Sequence, residues 1–219
     1  MKNDTLIEIK DISFAYPGRE PVLKGLNFTV GKGERLGLVG PNGSGKSTLL
    51  HLLMGLYSPG GGSIKLFGKE MKEEKDFQAV RSQIGFVFQH ADDQLFSPTV
   101  LEDVAFGPLN MGKSPEEAIV LSRQTLKYLG LEGFEDRITY KLSGGEKKLV
   151  SFATVLVMEP KILLLDEPTT GLDEEAVARM VQVLNNLDIG YVTVSHELEF
   201  LSRTTTKIYT MRSGKIHFS

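Results

Sequence analysis

The stretch that decides the fold is Gly40-Pro41-Asn42-Gly43-Ser44-Gly45-Lys46-Ser47-Thr48, which fits the pattern G-x-x-x-x-G-K-[ST]. A short apolar strand is predicted before it at 35–39, and an apolar-faced helix is predicted to follow from 48. The glycines let the backbone turn its N–H groups inward, and the helix N-terminus adds about half a positive charge at the same place. The stretch therefore predicts a phosphate-binding loop between a strand and a helix.

Two side chains at the end of this phosphate loop (residues 40–48) have specific predicted roles. We expect Lys46 to reach the β- and γ-phosphates of a nucleotide and the Ser47 hydroxyl to bind Mg²⁺. An ordinary glycine-rich turn is the alternative, and the predicted strand and helix on either side argue against it.

Length and composition set the outer limits. The 219 residues suffice for one domain or for two closely joined lobes. There is no cysteine, which excludes disulfides, thiolate zinc sites and a thiol nucleophile. The net charge of −3 argues against a strongly basic nucleic-acid domain. The start, residues 1–4, shows no apolar secretory segment, and no apolar run approaches 18 residues. We therefore expect a soluble cytoplasmic protein.

The remaining pattern predicts an α/β protein with an insertion. Alternating residues predict an edge strand at 6–10 and further strands at 23–30 and 63–68, which together suggest a small antiparallel sheet against the nucleotide core. The stretch from about 91 to 155 is mostly helical in pattern, with Ser114 as a helix cap. We expect a single domain over 1–219, with a core at about 1–90 and 156–219 and a helical subdomain at about 91–155.

Polar residues follow three apolar strands. Gln89 follows the strand at 84–88, Asp166 and Glu167 follow 162–165, and His196 follows 191–195. Open α/β sheets bind ligands at the carboxyl ends of their strands, so we expect these side chains at the nucleotide. One of the two carboxylates at the end of the strand 162–165 can hold Mg²⁺, and the other can deprotonate water. A solvated strand end is an equal alternative for Gln89 taken alone.

Two helix starts complete the set. Ser143, Gly144 and Gly145 open a predicted helix and offer a second anion site, although taken alone a plain capping turn is the favoured explanation. Asp173 is predicted to cap a further helix with an apolar stripe. A closing hairpin is predicted around Ser213-Gly214.

Taken together, these motifs resemble the ATP-binding cassette ATPases over about residues 6–218. The resemblance rests on the phosphate loop, Gln89, the signature segment Leu142-Ser143-Gly144-Gly145-Glu146, the acidic strand, Gly171-Leu172-Asp173 and His196, which occur in the family's order. It implies a P-loop NTPase core with a mostly parallel sheet, an N-terminal antiparallel β subdomain and an inserted helical subdomain.

The resemblance also implies roles for individual residues. Tyr16 would stack on adenine, Asp166 would serve Mg²⁺ and Glu167 would be the catalytic carboxylate. Ser143 and Gly145 would contact the γ-phosphate of an ATP held by the other subunit, and Asp173 would lie at the dimer seam. The expected ATP-binding residues are Tyr16, Gly40, Asn42, Gly43, Ser44, Gly45, Lys46, Ser47, Thr48, Ser143, Gly144, Gly145 and Asp173. The expected catalytic residues are Lys46, Gln89, Glu167 and His196, and the expected metal-binding residues are Ser47, Gln89 and Asp166.

The segment at 90–112 narrows the resemblance to the ATPases of energy-coupling-factor importers, and within these to the cobalt/nickel type. In that family the segment faces the transmembrane partner. Glu146 replaces the commoner Gln, a swap we expect to be harmless, and Leu149 stands where relatives usually have a basic residue near the signature helix. Many relatives carry a C-terminal extension that helps dimerisation, whereas this sequence ends soon after the predicted hairpin, which leaves pairing without ATP open.

The functional expectation is ATP hydrolysis that powers uptake of a micronutrient, either a cobalt or nickel ion or a vitamin. The expected partners are a second ATPase, identical or related, together with a transmembrane coupling subunit and a substrate-binding membrane subunit, at the cytoplasmic face of the membrane. No nucleic acid is expected. A soluble ATPase that clamps protein or nucleic acid is the alternative, and a non-hydrolysing ATP sensor is a weaker one because Glu167 is present.

Overall fold

The computed structural model describes residues 5–218 as an α/β protein with two β-sheets. Residues 1–4 and 219, which the sequence analysis assigns to the same domain, lie outside the described residues. Within 5–218 the strands are β1 Thr5–Phe14, β2 Leu23–Gly31, β3 Arg35–Val39, β4 Gly61–Leu66, β5 Lys69–Glu70, β6 Ile84–Val87, β7 Ile162–Asp166, β8 Gly190–Val194, β9 Lys207–Arg212 and β10 Lys215–Phe218. The α-helices of the same range are α1 Lys46–Leu53, α2 Glu74–Arg81, α3 Val100–Asn110, α4 Pro115–Tyr128, α5 Gly144–Leu156, α6 Glu174–Asn186 and α7 Leu198–Thr204.

The smaller sheet is antiparallel and has the order β2-β1-β4-β5. The sequence analysis predicts the strand at 6–10 as an edge strand, and this is wrong because β1 pairs on both sides, with β2 and with β4. Its Ile7 and Ile9 are buried and pair with Leu66 and Ile64 of β4. The partner strand β4 begins with two glycines and comes after the phosphate loop, so no local pattern reveals this long-range pairing.

The larger sheet has the order β10-β9-β3-β8-β7-β6 and is parallel except for β10. The phosphate-loop strand β3 lies between β9 and β8, with β7 one strand further along. The carboxyl ends of β3, β6, β7 and β8 therefore meet at one edge of the sheet. The hairpin of β9 and β10 confirms the prediction around Ser213-Gly214.

Both faces of the larger sheet are covered, which explains the continuous apolar runs of its strands. Along β7, Ile162 and Leu164 belong to a core shared with the smaller sheet, α1 and α2. The alternate residues Leu163 and Leu165 belong to a second core shared with helices that include α5, α6 and α7. The sheet is thus fixed on both sides, and its polar edge is the part free to bind a ligand.

The helices between β6 and β7 form a packed group in which α3 contacts α4 and α5. Their starts are set by capping boxes at Thr99, Ser114 and Ser143, each of which accepts a hydrogen bond from the backbone N–H three residues on. The predicted cap at Ser114 is confirmed, and so is the cap at Asp173, whose carboxylate accepts a hydrogen bond from the Ala176 N–H. Across residues 5–218, no helix combines the length and apolarity needed to cross a bilayer.

Candidate functional site

The phosphate loop has backbone geometry that requires glycine at two positions. Gly40 has φ 153°, and a Cβ there would lie 2.2 Å from the Met211 carbonyl oxygen. Gly45, the N-cap of α1, has φ 102°, and a Cβ would lie 2.6 Å from a methyl group of Leu23. Because side chains at both places would collide with the loop's surroundings, the loop keeps its curve and presents the N-terminus of α1 to the sheet edge.

Lys46 is the first residue of α1 and is buried, with 7% of the residue exposed. The Nζ donates hydrogen bonds to the carbonyl oxygens of Gly40 at 2.7 Å and Pro41 at 3.1 Å. Burial lowers the pKa of Lys46, and the negative charges of Glu167 and Asp166 oppose that shift. The cation is therefore held across the phosphate loop by backbone oxygens, at the place where phosphate oxygens would attract it.

Asp166 is the last residue of β7 and is buried, with 3% exposure. Burial raises the pKa of Asp166, while a hydrogen bond from the Ser47 side chain and the nearby positive charges oppose the rise. Its Oδ1 is shielded from solvent and has no hydrogen-bond partner among the described residues. A buried carboxylate oxygen without a partner is rare in proteins, and it indicates a site that is completed by another group.

Glu167 follows Asp166 in the strained left-handed conformation, with φ 46°. Its Oε2 accepts a hydrogen bond from the His196 backbone N–H at 3.3 Å, and the His196 Nε2 lies 3.1 Å from Oε1. Burial raises the pKa of Glu167, and the charge and the backbone N–H of His196 act against this. The carboxylate and the imidazole therefore face each other across the ends of β7 and β8, where a water molecule could be oriented.

The phosphate-loop cavity has a volume of about 640 Å³. Of the residues predicted to bind nucleotide or to act in catalysis, those lining it are Tyr16, Asn42, Gly43, Gly45, Lys46, Ser47, Thr48, Gln89, Glu167 and His196. Gly40, Ser44 and Asp166 are not among the lining residues, and Ser44 and Asp166 are buried. The Tyr16 hydroxyl lies 2.9 Å from the Thr48 Oγ1, which ties the aromatic ring to α1 at the mouth of the cavity.

Four of the predicted residues lie elsewhere. Ser143, Gly144, Gly145 and Asp173 line a second cavity of about 380 Å³, the signature pocket, which shares no lining residue with the phosphate-loop cavity. One chain therefore does not bring the signature segment to its own phosphate loop. If both segments act on one nucleotide, the second must come from another molecule.

The signature segment is shaped by a reciprocal pair of hydrogen bonds. The Glu146 Oε2 accepts from the Ser143 N–H at 2.8 Å, and the Ser143 Oγ accepts from the Glu146 N–H at 3.2 Å. Arg137 donates to the Glu146 Oε1 at 2.9 Å. The Ser143 N–H is the main cause that lowers the pKa of Glu146, so this carboxylate remains ionised beside the pocket.

Three residues that the sequence analysis missed lie beside the ends of β6 and β7 at the phosphate-loop cavity. Lys148 is only 2% exposed, and its burial lowers the pKa to about 8. The Gln94 side chain contacts the backbone just before Gln89, and His51, whose pKa is lowered by burial, lies close enough to Asp166 to feel its charge. A usable signal existed for Lys148, since it lies in the apolar run of α5 beside Leu149 and Val150. Gln94 and His51 offered none, because α5, to which Gln94 donates, and Asp166, which lies near His51, are distant from them in sequence.

Comparison with known proteins identifies the family. The family model described as ABC transporter matches residues 23–170, more than half of the chain. This chain belongs to the ABC transporter family. It is an ABC ATPase, an enzyme that binds and hydrolyses ATP, as the sequence analysis predicted.

Individual relatives agree with this assignment. The chain is 43% identical over 215 residues to the energy-coupling factor transporter ATP-binding protein EcfA of Methanothermobacter thermautotrophicus, covering 96% of this chain and 69% of the relative. It superposes on CbiO1 of Clostridium perfringens, described as part of an ABC transporter complex, with TM-score 0.87 and 36% identity over 98% of this chain and 88% of CbiO1.

A third ABC ATPase, MJ0796, has been solved as a dimer in a post-hydrolysis state bound to ADP and Pi. It matches with TM-score 0.89 and 28% identity, covering 97% of each chain. These likenesses confirm the predicted fold and the predicted energy-coupling-factor type of ABC ATPase.

Proposed function

We propose that this ABC ATPase powers an importer as one half of a head-to-tail dimer that holds two ATP molecules. The observation that carries the proposal is the separation of the phosphate-loop cavity from the signature pocket within one chain. In a head-to-tail pair, the Ser143 and Gly145 region of each subunit covers the ATP bound at the phosphate loop of the other. The dimeric state of the similar ABC ATPase MJ0796 supports this arrangement.

Three residues at the carboxyl-end edge of the larger sheet fit a magnesium ion bound with the nucleotide. The donors are the buried, unpartnered Oδ1 of Asp166, the Ser47 hydroxyl and the Gln89 side chain, all of them oxygen ligands of the kind Mg²⁺ prefers. We propose that these three residues hold the ion. When bound, Mg²⁺ neutralises negative charge on the phosphate oxygens.

The chain's own side chains supply the remaining chemistry. Water attacks the γ-phosphate in line with the leaving oxygen, and Glu167 accepts the proton of that water. Since burial keeps the carboxylate pKa above its ordinary value, Glu167 is a stronger base than an exposed glutamate. His196 orients the water, and Lys46 exchanges its bonds to the loop carbonyls for bonds to the phosphates, which lowers the energy of the charged transition state.

An apolar groove on the helical subdomain suggests where a membrane partner docks. The groove has a volume of about 410 Å³ and is lined by Ser97, Pro98, Leu101, Glu102, Ala105, Phe106, Leu109, Pro115 and Ile119. Phe96 lies next to the lining residue Phe106; the two are 67% and 47% exposed, with their rings edge to face at 4.8 Å. We propose that the transmembrane coupling subunit binds here, which places the chain at the cytoplasmic face of the membrane.

The transported substrate is proposed from the resemblance of the sequence to a known group of importers. The segment at 90–112 resembles the ATPases of cobalt and nickel importers, so a cobalt or nickel ion is the first candidate and a vitamin the second. The cargo itself would be recognised by the membrane subunits. A nucleic-acid or protein clamp is the competing function, and the net charge of −3 together with the apolar groove favours the membrane partner.

Two experiments test the proposal. With ATP and Mg²⁺, the Glu167→Gln variant should elute as a dimer in size-exclusion chromatography, whereas it should elute as a monomer without nucleotide. A monomer in both conditions would overturn the head-to-tail pair. Co-expression with the membrane proteins encoded by neighbouring genes should yield a complex, and the Phe106→Asp variant should fail to form it. ATP turnover stimulated by DNA or RNA, without any membrane complex, would favour the clamp instead.

A further inference from the structure

Lys148 is a buried cation that the proposed mechanism does not use. It lies in α5, five residues after Ser143, with 2% of its surface exposed. The ammonium donates hydrogen bonds to the carbonyl oxygens of Phe88 at 3.0 Å and Gln89 at 2.6 Å. These two residues directly follow β6 and lead into the phosphate-loop cavity, so Lys148 connects a helix of the signature pocket to the backbone of a cavity residue.

Gln94 strengthens the same connection from the other side. Its Oε1 accepts a hydrogen bond from the Phe88 N–H at 3.2 Å, while its Nε2 donates to the Ser151 carbonyl at 2.7 Å and the Thr154 hydroxyl at 2.8 Å, both in α5. The pairing of β6 with β7 reaches only as far as Val87 and Leu165. Phe88 and Gln89 are therefore fixed to α5 by side chains, and β6 ends before them.

The position of Lys148 along α5 gives this connection its geometry. An α-helix rises about 1.5 Å per residue, so Lys148 lies only about 7–8 Å along the axis from Ser143. A short stretch of helix behaves as a rigid rod on this scale. A shift at the N-terminus of α5 therefore moves Lys148, and Lys148 moves the Gln89 backbone that it holds.

Simple space filling does not account for a lysine at this position. Burying an ammonium group carries a desolvation penalty, which a methionine of similar length would avoid. The charges that face Lys148 are the carboxylates of Asp166 and Glu167, while the two carbonyl oxygens accept its hydrogen bonds. A lysine ammonium has several N–H donors, so it can donate hydrogen bonds to the carbonyl oxygens of Phe88 and Gln89 at the same time, which a methionine cannot do.

We propose that Lys148 is a positioning residue that ties Gln89, in a subunit's own ATP site, to the signature segment that the same subunit presents to the other ATP. This inference rests on the proposed head-to-tail dimer. When the signature segment closes on the neighbouring nucleotide, the N-terminal end of α5 moves, and Lys148 carries Gln89 into place at its own nucleotide. Binding of ATP at one site thereby positions Gln89 at the other site, and the two sites hydrolyse ATP cooperatively.

The test compares Lys148→Met with Lys127→Met, a control that removes an exposed lysine from α4. Lys148→Met should bind ATP with the same affinity as the unchanged chain, because Lys148 is not one of the residues that line the phosphate-loop cavity. Its kcat should fall by roughly 10- to 100-fold, since a misplaced positioning group has effects of this size. The Hill coefficient for ATP should drop from about 2 toward 1, as expected when two coupled sites become independent. Lys127→Met should change none of these quantities.

A fluorescent reporter gives a second readout that a merely structural role would not affect. The sequence contains no cysteine, so His90→Cys provides a single labelling position on the exposed residue next to Gln89. In the Glu167→Gln background, ATP with Mg²⁺ should change the label's emission in the dimer. Adding Lys148→Met should abolish the change while the dimer still forms. Gln94→Leu, which cuts the parallel connection, should reduce it in the same way.

Three outcomes would contradict the role proposed for Lys148 or the dimer on which it rests. Lys148→Met with unchanged kcat, Hill coefficient and emission overturns the inference. Loss of ATP binding in both Lys148→Met and Gln94→Leu also overturns it, because the two residues would then merely support the cavity. A different failure, in which Glu167→Gln with native Lys148 never forms a dimer with ATP, refutes the proposed function on which the inference rests.

Discussion

The most direct energetic prediction concerns Asp103 in α3, which is buried with 3% exposure. Its Oδ1 accepts hydrogen bonds from the N–H groups of Phe96 at 3.0 Å and Ser97 at 2.9 Å. Its Oδ2 accepts from the Thr139 hydroxyl at 3.1 Å. One side chain thus holds the segment beside the apolar groove against the turn that precedes the signature segment.

The magnitude follows from these three bonds. Asp103→Ala leaves two N–H groups and one hydroxyl without their acceptor, and each orphaned group costs about 1–3 kcal/mol. Phe96 is exposed, so its segment can relax toward water and the Thr139 hydroxyl can rotate. We therefore expect the free energy of unfolding to fall by about 3 kcal/mol, the lower end of the sum. For a chain of this length the melting temperature should fall by about 6–12 °C.

Urea unfolding followed by circular dichroism measures this loss. Asp103→Asn keeps an acceptor for the two N–H groups and can donate to the hydroxyl of Thr139, so it should lose only about 1 kcal/mol. Glu116→Ala, at an exposed position of α4, is the matched control and should change stability by less than about 0.5 kcal/mol. If Asp103→Ala and Glu116→Ala unfold at the same urea concentration, the three hydrogen bonds do not hold this segment and the reasoning is wrong.

Three further predictions concern the nucleotide sites. Glu167→Gln should lower kcat by at least about 100-fold, because the proposed proton acceptor is lost; a steady-state assay with near-native turnover would contradict the proposed role. Burial raises the pKa of Glu167, and the proposed base is its ionised form, so kcat should decline on acidification at pH values above the 4.5 of an ordinary glutamate; a pH profile flat down to that value would contradict this. Arg137→Ala should raise the half-saturating ATP concentration by about 2- to 5-fold, an amount typical of a half-exposed ion pair, because it leaves the Glu146 charge unbalanced beside the incoming phosphate. In the Glu146→Gln background the same change should have little effect. Equal effects in both backgrounds would show that Arg137 acts only through the contact of its guanidinium with Phe134, whose ring centre lies 3.5 Å away.

The phosphate-loop half of the site was predictable because its requirements are local. Gly40 and Gly45 must be glycine to avoid the contacts that the structure shows at those positions, and this constraint is visible in the sequence as a fixed spacing. The continuous apolar run of β7 likewise predicts a strand that is buried on both faces. Asp166 and Glu167 come at the end of that run, so their position at the end of the strand could be predicted as well. The caps at Ser114 and Asp173 depend on residues only three positions apart, so they too could be predicted.

The parts that sequence reasoning missed depend on distant partners. Lys148 contacts a backbone 59 residues away, and Gln94 reaches α5 across 57 residues. The interior position of β1 depends on β4, about 50–60 residues further along the chain, and no periodicity within β1 distinguishes one neighbour from two. The short helix α7 was also missed, because seven residues give too few turns for a clear apolar stripe.

The separation of the two cavities has a consequence for inheritance. In the proposed head-to-tail dimer, where intact and damaged copies can pair, a copy with a defective phosphate loop still covers its partner's nucleotide with its signature segment, but it offers no nucleotide to the partner's signature segment. Every mixed pair is then impaired, so output should decline more steeply than the share of damaged copies. If two identical chains pair in this way, such an allele should reduce the output of the intact allele when both are expressed together.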